Sequence, residues 1–388
     1  MVGSGVPDAG RGARVLAVVS SLVVGLLVGL PAPGAGSSAP PLLRLQREPG
    51  SPVSALEMPL VASSWRPSAG GAATTPRLST TPYSMVGVTW HGADPALSVR
   101  SRTDGRWGDW HPLRALTDGP DAGAEGVPGL RGTEPLWVGP SDGVQLRARQ
   151  ESRPITLVLI DPGSSPRAAA APAAARPLAR ANARAETRAP RPDLLSRRDW
   201  DADESWRTSE PRYNKRMNQV HVHHTVNANN YGRGDVGGLI RGMYRYHTQS
   251  LGWSDLGYNF LVDRFGRTWV GRAGGAARRV RGAPTLGFNN TSTGIAVIGN
   301  FEGAAPPRAV IAAIVRLSAW KLDRDHGTPT GTVRVRSQGS DRYPAGTTPR
   351  LRVIDGHRDT NQTACPGQFL YDQLPRIRNR TQRRVDRF

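Results

Sequence analysis

An α/β domain with a mixed central β-sheet flanked by helices, preceded by a small all-β domain, is the fold class that the 388-residue sequence predicts. Three observations predict it. Between residues 82 and 162, short runs of alternating apolar and polar residues recur between Gly, Asp and Pro turn signals, the pattern of a small sandwich or barrel. From residue 194 to 388, strand-like and helix-like runs alternate, as they do where helices cover a sheet. Residues 163–193 separate the two. They collect alanine, proline and arginine with too few large apolar side chains to bury anything, which suits an exposed linker.

The start of the chain reads as an export signal. Arg11 and Arg14 precede an apolar run from Val15 to Leu30, and small and helix-breaking residues follow, so residues 1–38 are expected to be a cleaved signal peptide. The run is short for a bilayer, so no stable membrane span is expected after cleavage, and the expected location is secreted or in the cell wall. Residues 39–81, rich in Pro, Ser, Ala and Gly without a clear period, read as a disordered lead-in. The net charge is +20, and Lys215 and Lys321 are the only lysines, so the excess is arginine. GC-rich codons would give the same bias. An anionic cell-wall polymer is the partner such a charge would attract in an exported protein. The arginines are scattered and no nucleic-acid motif is present, which argues against nucleic acid; a monomer is expected.

In the first domain the strand-like runs are Ser84 to Trp90, Leu97 to Arg102, Trp107 to Leu113, Glu134 to Val138, Val144 to Arg149 and Ile155 to Ile160. Trp90, Trp107, Trp110 and Trp137 serve either as core or as a sugar-stacking face. In the second domain Asn218 to Thr225 reads as a strand with Val220 and Val222 on one face and His221 and His223 on the other. A helix is expected from Asp235 to Ser250, with strands over Gly257 to Val262, Thr268 to Arg272 and Gly294 to Ile298. Pro307 opens a long helix to Asp325. Thr328 to Arg350 reads as an inserted polar loop, Leu351 to Ile354 as a strand, and a closing helix starts near Pro366.

Cys365 is the only cysteine. In an exported chain it cannot form an internal disulfide, which leaves a core residue, an intermolecular cross-link, a reactive thiol or a metal ligand. His357 lies eight residues upstream, and His221, His223 and His224 lie far back in the chain. Two imidazoles and a thiolate make a three-ligand zinc set with a fourth position open, the pattern of a catalytic centre. His221 and His223 point to one face, and the residues alone leave them equal.

The flanking residues go further. Val222-His223-His224-Thr225, Trp253 to Phe260, Gly287-Phe288-Asn289-Asn290, Gly299-Asn300-Phe301, Gly356-His357-Arg358-Asp359 and Thr363 to Gly367 stand in the order of a known family. Over residues 195 to 380 the chain resembles the zinc N-acetylmuramoyl-L-alanine amidases, which share their fold with peptidoglycan recognition proteins. The resemblance implies Zn2+ held by His223, His357 and Cys365, a catalytic pair in Tyr258 and Thr363, and substrate contacts from Asn289 and His224. His221 becomes a supporting residue. The implied substrate is peptidoglycan, and the implied reaction is hydrolysis of the amide between N-acetylmuramic acid and L-alanine. The alternative is a non-catalytic peptidoglycan-binding protein, since relatives exist that keep the groove without the metal. Two departures stand out: Pro284 occupies a position often held by histidine, and Thr363 one held by lysine in some members.

Overall fold

The structure is a computed structural model that describes residues 41–68, 71–149, 154–171 and 188–388. The expected signal peptide lies outside the described residues, as does the middle of the linker, 172–187.

Alternation decides the all-β lobe. In the strand Ile155–Asp161, Ile155, Leu157 and Leu159 enter the interior of the lobe, while Val158 and Ile160 face the second domain. A strand covered on both faces has no polar side, which is why this run is almost continuously apolar. It lies between Ser54–Leu60 and Leu78–His91, antiparallel to both. The long strands Leu78–His91 and Leu136–Ala148 pair with each other, with register shifts, and Leu136–Ala148 also takes Leu97–Thr103 as a neighbour. Trp90 is buried in this interior, and Trp137 packs at its border with the second domain. Trp107 and Trp110 lie under the guanidinium groups of Arg100 and others.

Two expectations fail here. The expected disordered lead-in, 39–81, is structured over residues 41–68 and 71–81. Its strand Ser54–Leu60 pairs with Ile155–Asp161 from Leu60↔Ile155 to Ser54↔Asp161, and Val53, Ala55, Leu60, Trp65 and Ala73 are buried. Pro59 and the small residues around the strand mask an alternation of Leu56, Met58 and Leu60. Nor is the start of the linker an exposed spacer. Pro166–Ala170 is helical, Ala168 is buried, and the buried Arg241 guanidinium donates to the carbonyls of Pro162, Gly163 and Ser164. This segment docks through its backbone, which composition does not reveal.

The α/β domain has a five-stranded sheet in the order Thr268–Val270, Phe260–Val262, Ser292–Val297, Gln219–His224, Ile354–Gly356. The last four run parallel and the first closes the sheet as an antiparallel hairpin. Val220 and Val222 face the helix Arg308–Arg324, joining Val310, Ile314 and Leu317 in one core. The helix Asp235–Arg245 covers the other face through Val236, Leu239, Ile240 and Met243. It ends in a π-turn at Tyr246–Ser250, where Gly252 at φ +70 completes the reversal. The expected loop over 328–350 is also structured: Thr332–Arg334 pairs with Arg350–Arg352, and Val335, Leu351 and Phe288 form a small core of their own.

Candidate metal centre

Strand register brings the ligands together. Val220↔Ile354, His221↔Asp355 and Val222↔Gly356 are partners in a parallel ladder, and one step further His223 meets His357, with ring centroids 4.6 Å apart. Period-two alternation puts Val222 in the core and His223 on the opposite face. Past His357 the chain makes a 3-10 turn, pinned by Asp359 accepting from the Gly356 N–H at 2.9 Å and by the Arg358 N–H donating to the Cys365 carbonyl at 3.0 Å. That fold-back returns Cys365 Sγ to 3.8 Å from His223 Nδ1. One ligand atom from each of His223, His357 and Cys365 lies within 4.8 Å of the others, and all three residues are buried. Among the described residues this is the one such cluster of histidine, cysteine and carboxylate groups.

A carboxylate of the all-β lobe, which the sequence reading missed, faces the two histidines of this cluster. Asp118 Oδ1 stands 3.0 Å from His357 Nδ1 and 3.3 Å from His223 Nδ1, with the carboxylate side chain 3% exposed. The angles are wrong for hydrogen bonds: Asp118 Oδ1 and His357 Nδ1 are buried without a hydrogen-bond partner among the described residues. Buried polar atoms are nearly always paired, so orphaned atoms facing one point fit a cation. The donor set of two imidazoles and a thiolate suits zinc in both type and number.

Protonation follows from burial. Burial raises the Asp118 carboxyl, and the facing His223 and His357 imidazoles outweigh it, holding the group well below the usual carboxylate range. Burial lowers His223 to about 4, leaving it neutral as a ligand must be. It pushes the Cys365 thiol up, with Asp118 adding to the effect, so a thiolate here needs a cation beside it. Tyr258, also buried, has its ring centroid 5.8 Å from that of His223, and burial followed by the Asp118 and Glu134 charges raises its phenol.

The remaining expected residues divide. Thr363 Oγ1 accepts from the Cys365 N–H at 3.2 Å, which places it on the ligand loop. Asn289 is buried beside the site, accepting from the Thr285 N–H and donating to Gly119 O and Asp121 Oδ1 of the all-β lobe. His224 is not placed to touch a substrate. It is 2% exposed and its Nδ1 accepts from the Phe301 N–H, because alternation turns it away from His223 into the packed side of the strand. His221 pairs with Asp355 at 2.5 Å and stays outside the ligand cluster. Thr285 is a second residue the sequence did not single out, with Oγ1 3.2 Å from His223 Nε2, where it fixes the ring.

Residues 213–368 match the family model for N-acetylmuramoyl-L-alanine amidase, and residues 46–187 match a family described as Rv3811 N-terminal galactose-binding domain-like. Human N-acetylmuramoyl-L-alanine amidase is 33% identical over 135 residues, 35% of this chain and 19% of that protein. Human peptidoglycan recognition protein 3 is 34% identical over 91 residues, 24% of this chain and 26% of that protein. The chain thus spans about a fifth to a quarter of the length of these curated relatives. The solved structure of wild-type Drosophila PGRP-LB aligns at 26% identity with a TM-score of 0.37, covering 47% of this chain and 92% of that one.

Proposed function

With residues 213–368 forming a domain of the N-acetylmuramoyl-L-alanine amidase family, we propose that the protein is an exported zinc hydrolase that cleaves the amide between N-acetylmuramic acid and L-alanine in peptidoglycan. The convergence of His223, His357 and the lone Cys365 carries this reading, because a thiolate in that set is what a metal-free binding protein has no use for. A zinc ion held there supplies Lewis acidity and, by lowering the pKa of water from about 15.7 to about 7, a nucleophile at neutral pH. The chain's own groups do the rest. The raised phenol of Tyr258 stays protonated at neutral pH, so it serves as a hydrogen-bond donor to the oxygen that gains charge as the carbonyl becomes tetrahedral. Thr363 spends its lone pair on the Cys365 N–H and keeps its hydroxyl proton for the same oxygen. As a neutral group it contributes a hydrogen bond where a lysine would bring charge. Thr285 and Asn289 shape the wall of the groove behind His223.

The test is a digest of purified peptidoglycan with the full chain, with and without chelator and beside Cys365→Ser, read by mass spectrometry. The expected products are lactyl ends and free L-alanine amino termini that vanish with chelator and in the variant. Retention on wall material without new termini would instead indicate a binding protein, and cleavage of the glycan strand would refute the chemistry.

A further inference from the structure

Four arginines from three stretches of sequence meet on the outer face of the all-β lobe. In the paired strands Leu97–Thr103 and Leu136–Ala148, the side chains of Leu97, Val99, Val144, Leu146 and Ala148 enter the interior, so alternation turns Arg100, Arg102 and Arg147 outward. Arg77 joins them from just ahead of the strand Leu78–His91. We infer that this face is a docking site for an anionic polymer joined through phosphodiesters, held by guanidinium groups that Trp107 and Trp110 keep in a row. The site is separate from the metal centre and uses none of its residues.

The local topology builds the row. Trp107 is the ladder partner of Arg102, and Pro112 is that of Ser98, so the segment between them runs back along one strand and lays both indoles over its outward arginines. The Arg77 and Arg100 guanidiniums stand 5.5 and 5.4 Å from the Trp107 ring centre, with Arg102 at 5.9 Å. Arg100 and Arg147 stand 4.8 and 4.6 Å from that of Trp110. Cation–π contact orders these long side chains before any ligand arrives, which reduces the entropy lost on binding.

The charge of this face is not balanced from within. Among the described residues only Arg102 of the four has a carboxylate partner, Asp142 at 2.8 Å. Arg100 gives Nε and Nη2 to the neutral amide oxygen of Gln145, at 2.9 and 2.6 Å, and its Nη1 has no partner among the described residues. Burial, and after it the facing Arg77 and Arg147 charges, lower the pKa of Arg100, as expected where like charges are held together. An anion laid across the face relieves that repulsion. The indole faces narrow the class of ligand. A chain of sugar rings needs open ring faces to stack on, and guanidinium groups lie on these. Phosphodiesters need only the N–H donors at the guanidinium edges, which match pairs of phosphate oxygens. Arg100 and Arg102, two residues apart on one strand, are spaced by about 7 Å, so the face presents a row of charges suited to a repeating anion.

The proposal is tested by isothermal titration of the full chain with poly(glycerol phosphate), beside polygalacturonate and a neutral galactan. Poly(glycerol phosphate) should bind most tightly, less so as salt rises, and about ten-fold more weakly to the double variant Arg77→Gln with Arg147→Gln. The double variant Arg376→Gln with Arg383→Gln, which removes the same charge from exposed positions of the helix Leu374–Val385, should bind like the native chain. Trp110→Leu, checked for folding by circular dichroism, removes no charge and should still weaken binding several-fold. Equal losses in the two double variants, or none in Trp110→Leu, would overturn the site in favour of attraction by net charge alone. Polygalacturonate or galactan bound as tightly as poly(glycerol phosphate) would overturn the phosphodiester assignment, and a native chain that binds none of the three would overturn both. Binding is read without cleavage, so each of these failures leaves the zinc reading standing.

Discussion

His223 is held from two sides, with Cys365 Sγ at Nδ1 and Thr285 Oγ1 at Nε2. Removing the rear contact lets the ring turn, so Thr285→Val should lower zinc affinity about 10- to 100-fold in competition with a coloured chelator, with the fold intact by circular dichroism. In the proposed reaction Tyr258 serves the reacting oxygen and not the ion. Tyr258→Phe should keep one zinc per chain by atomic absorption while the rate of wall hydrolysis falls on the order of a hundredfold. Near-normal turnover would remove Tyr258 from the chemistry. At this scale the cluster of His223, His357 and Cys365 was legible in the sequence because its residue types are scarce, one cysteine and eight histidines in 388 residues. Thr285 and Asp118 were not. Threonine is common, and the Leu116-Thr117-Asp118-Gly119-Pro120-Asp121 run reads as any other turn; what makes Asp118 special is a contact more than a hundred residues away in sequence. His224 shows the reverse error, since adjacency to a ligand in sequence places a residue on the opposite face of a strand.

The helix Arg308–Arg324 carries Lys321 on its buried side, where the ammonium donates to the carbonyls of Ala276 and Arg278. Burial lowers its pKa from 10.5 to about 8. The folded state therefore binds fewer protons than the unfolded state between about pH 8 and 10.5, and over that window this residue makes the protein more stable as pH rises. The effect approaches about 3 kcal/mol. It should appear as a difference between the native chain and Lys321→Met in urea unfolding at pH 7.5 and pH 10; equal pH dependence of the two would refute it. The long helix itself was legible from Pro307 and its apolar period, and so was the Gln219–His224 strand. Short elements were harder. The expected strand from Gly257 shrinks to Phe260–Val262, because the Gly257 carbonyl accepts from the Ala283 N–H, outside the ladder. The strand Ser54–Leu60 was hidden because its local composition is that of a loop, and only its pairing with residues 155–161 makes it a strand.

The two lobes share one core. Val53, Ala55, Met85, Val158 and Ile160 of the all-β lobe pack with Val236, Leu239, Ile240, Met243 and Tyr246 of the α/β domain. Tyr246 goes deepest: its hydroxyl donates to the Val88 carbonyl, and a methyl group added at Gly87 or Gly132 would lie 2.5 Å from it. Fully burying an aliphatic side chain contributes about 1.5–3 kcal/mol, so this interface is comparable to a domain interior. The described residues should accordingly unfold in one calorimetric transition, with the measured enthalpy equal to the van't Hoff enthalpy. Two separated transitions would show that the lobes are independent. Composition and periodicity suggested two domains joined by a spacer, and the division into folds was sound. What they could not show is that Val158 and Ile160 on one side and the apolar side of the Asp235–Arg245 helix on the other face each other.

The segment that carries Asp118 is rooted at both ends, in the strand His111–Pro112 on one side and Leu130–Gly132 on the other. An occupant tethered in this way meets its site at an effective concentration in the millimolar range. Whatever reaches His223 and His357 from the side of Asp118 must therefore displace a segment that never leaves their neighbourhood.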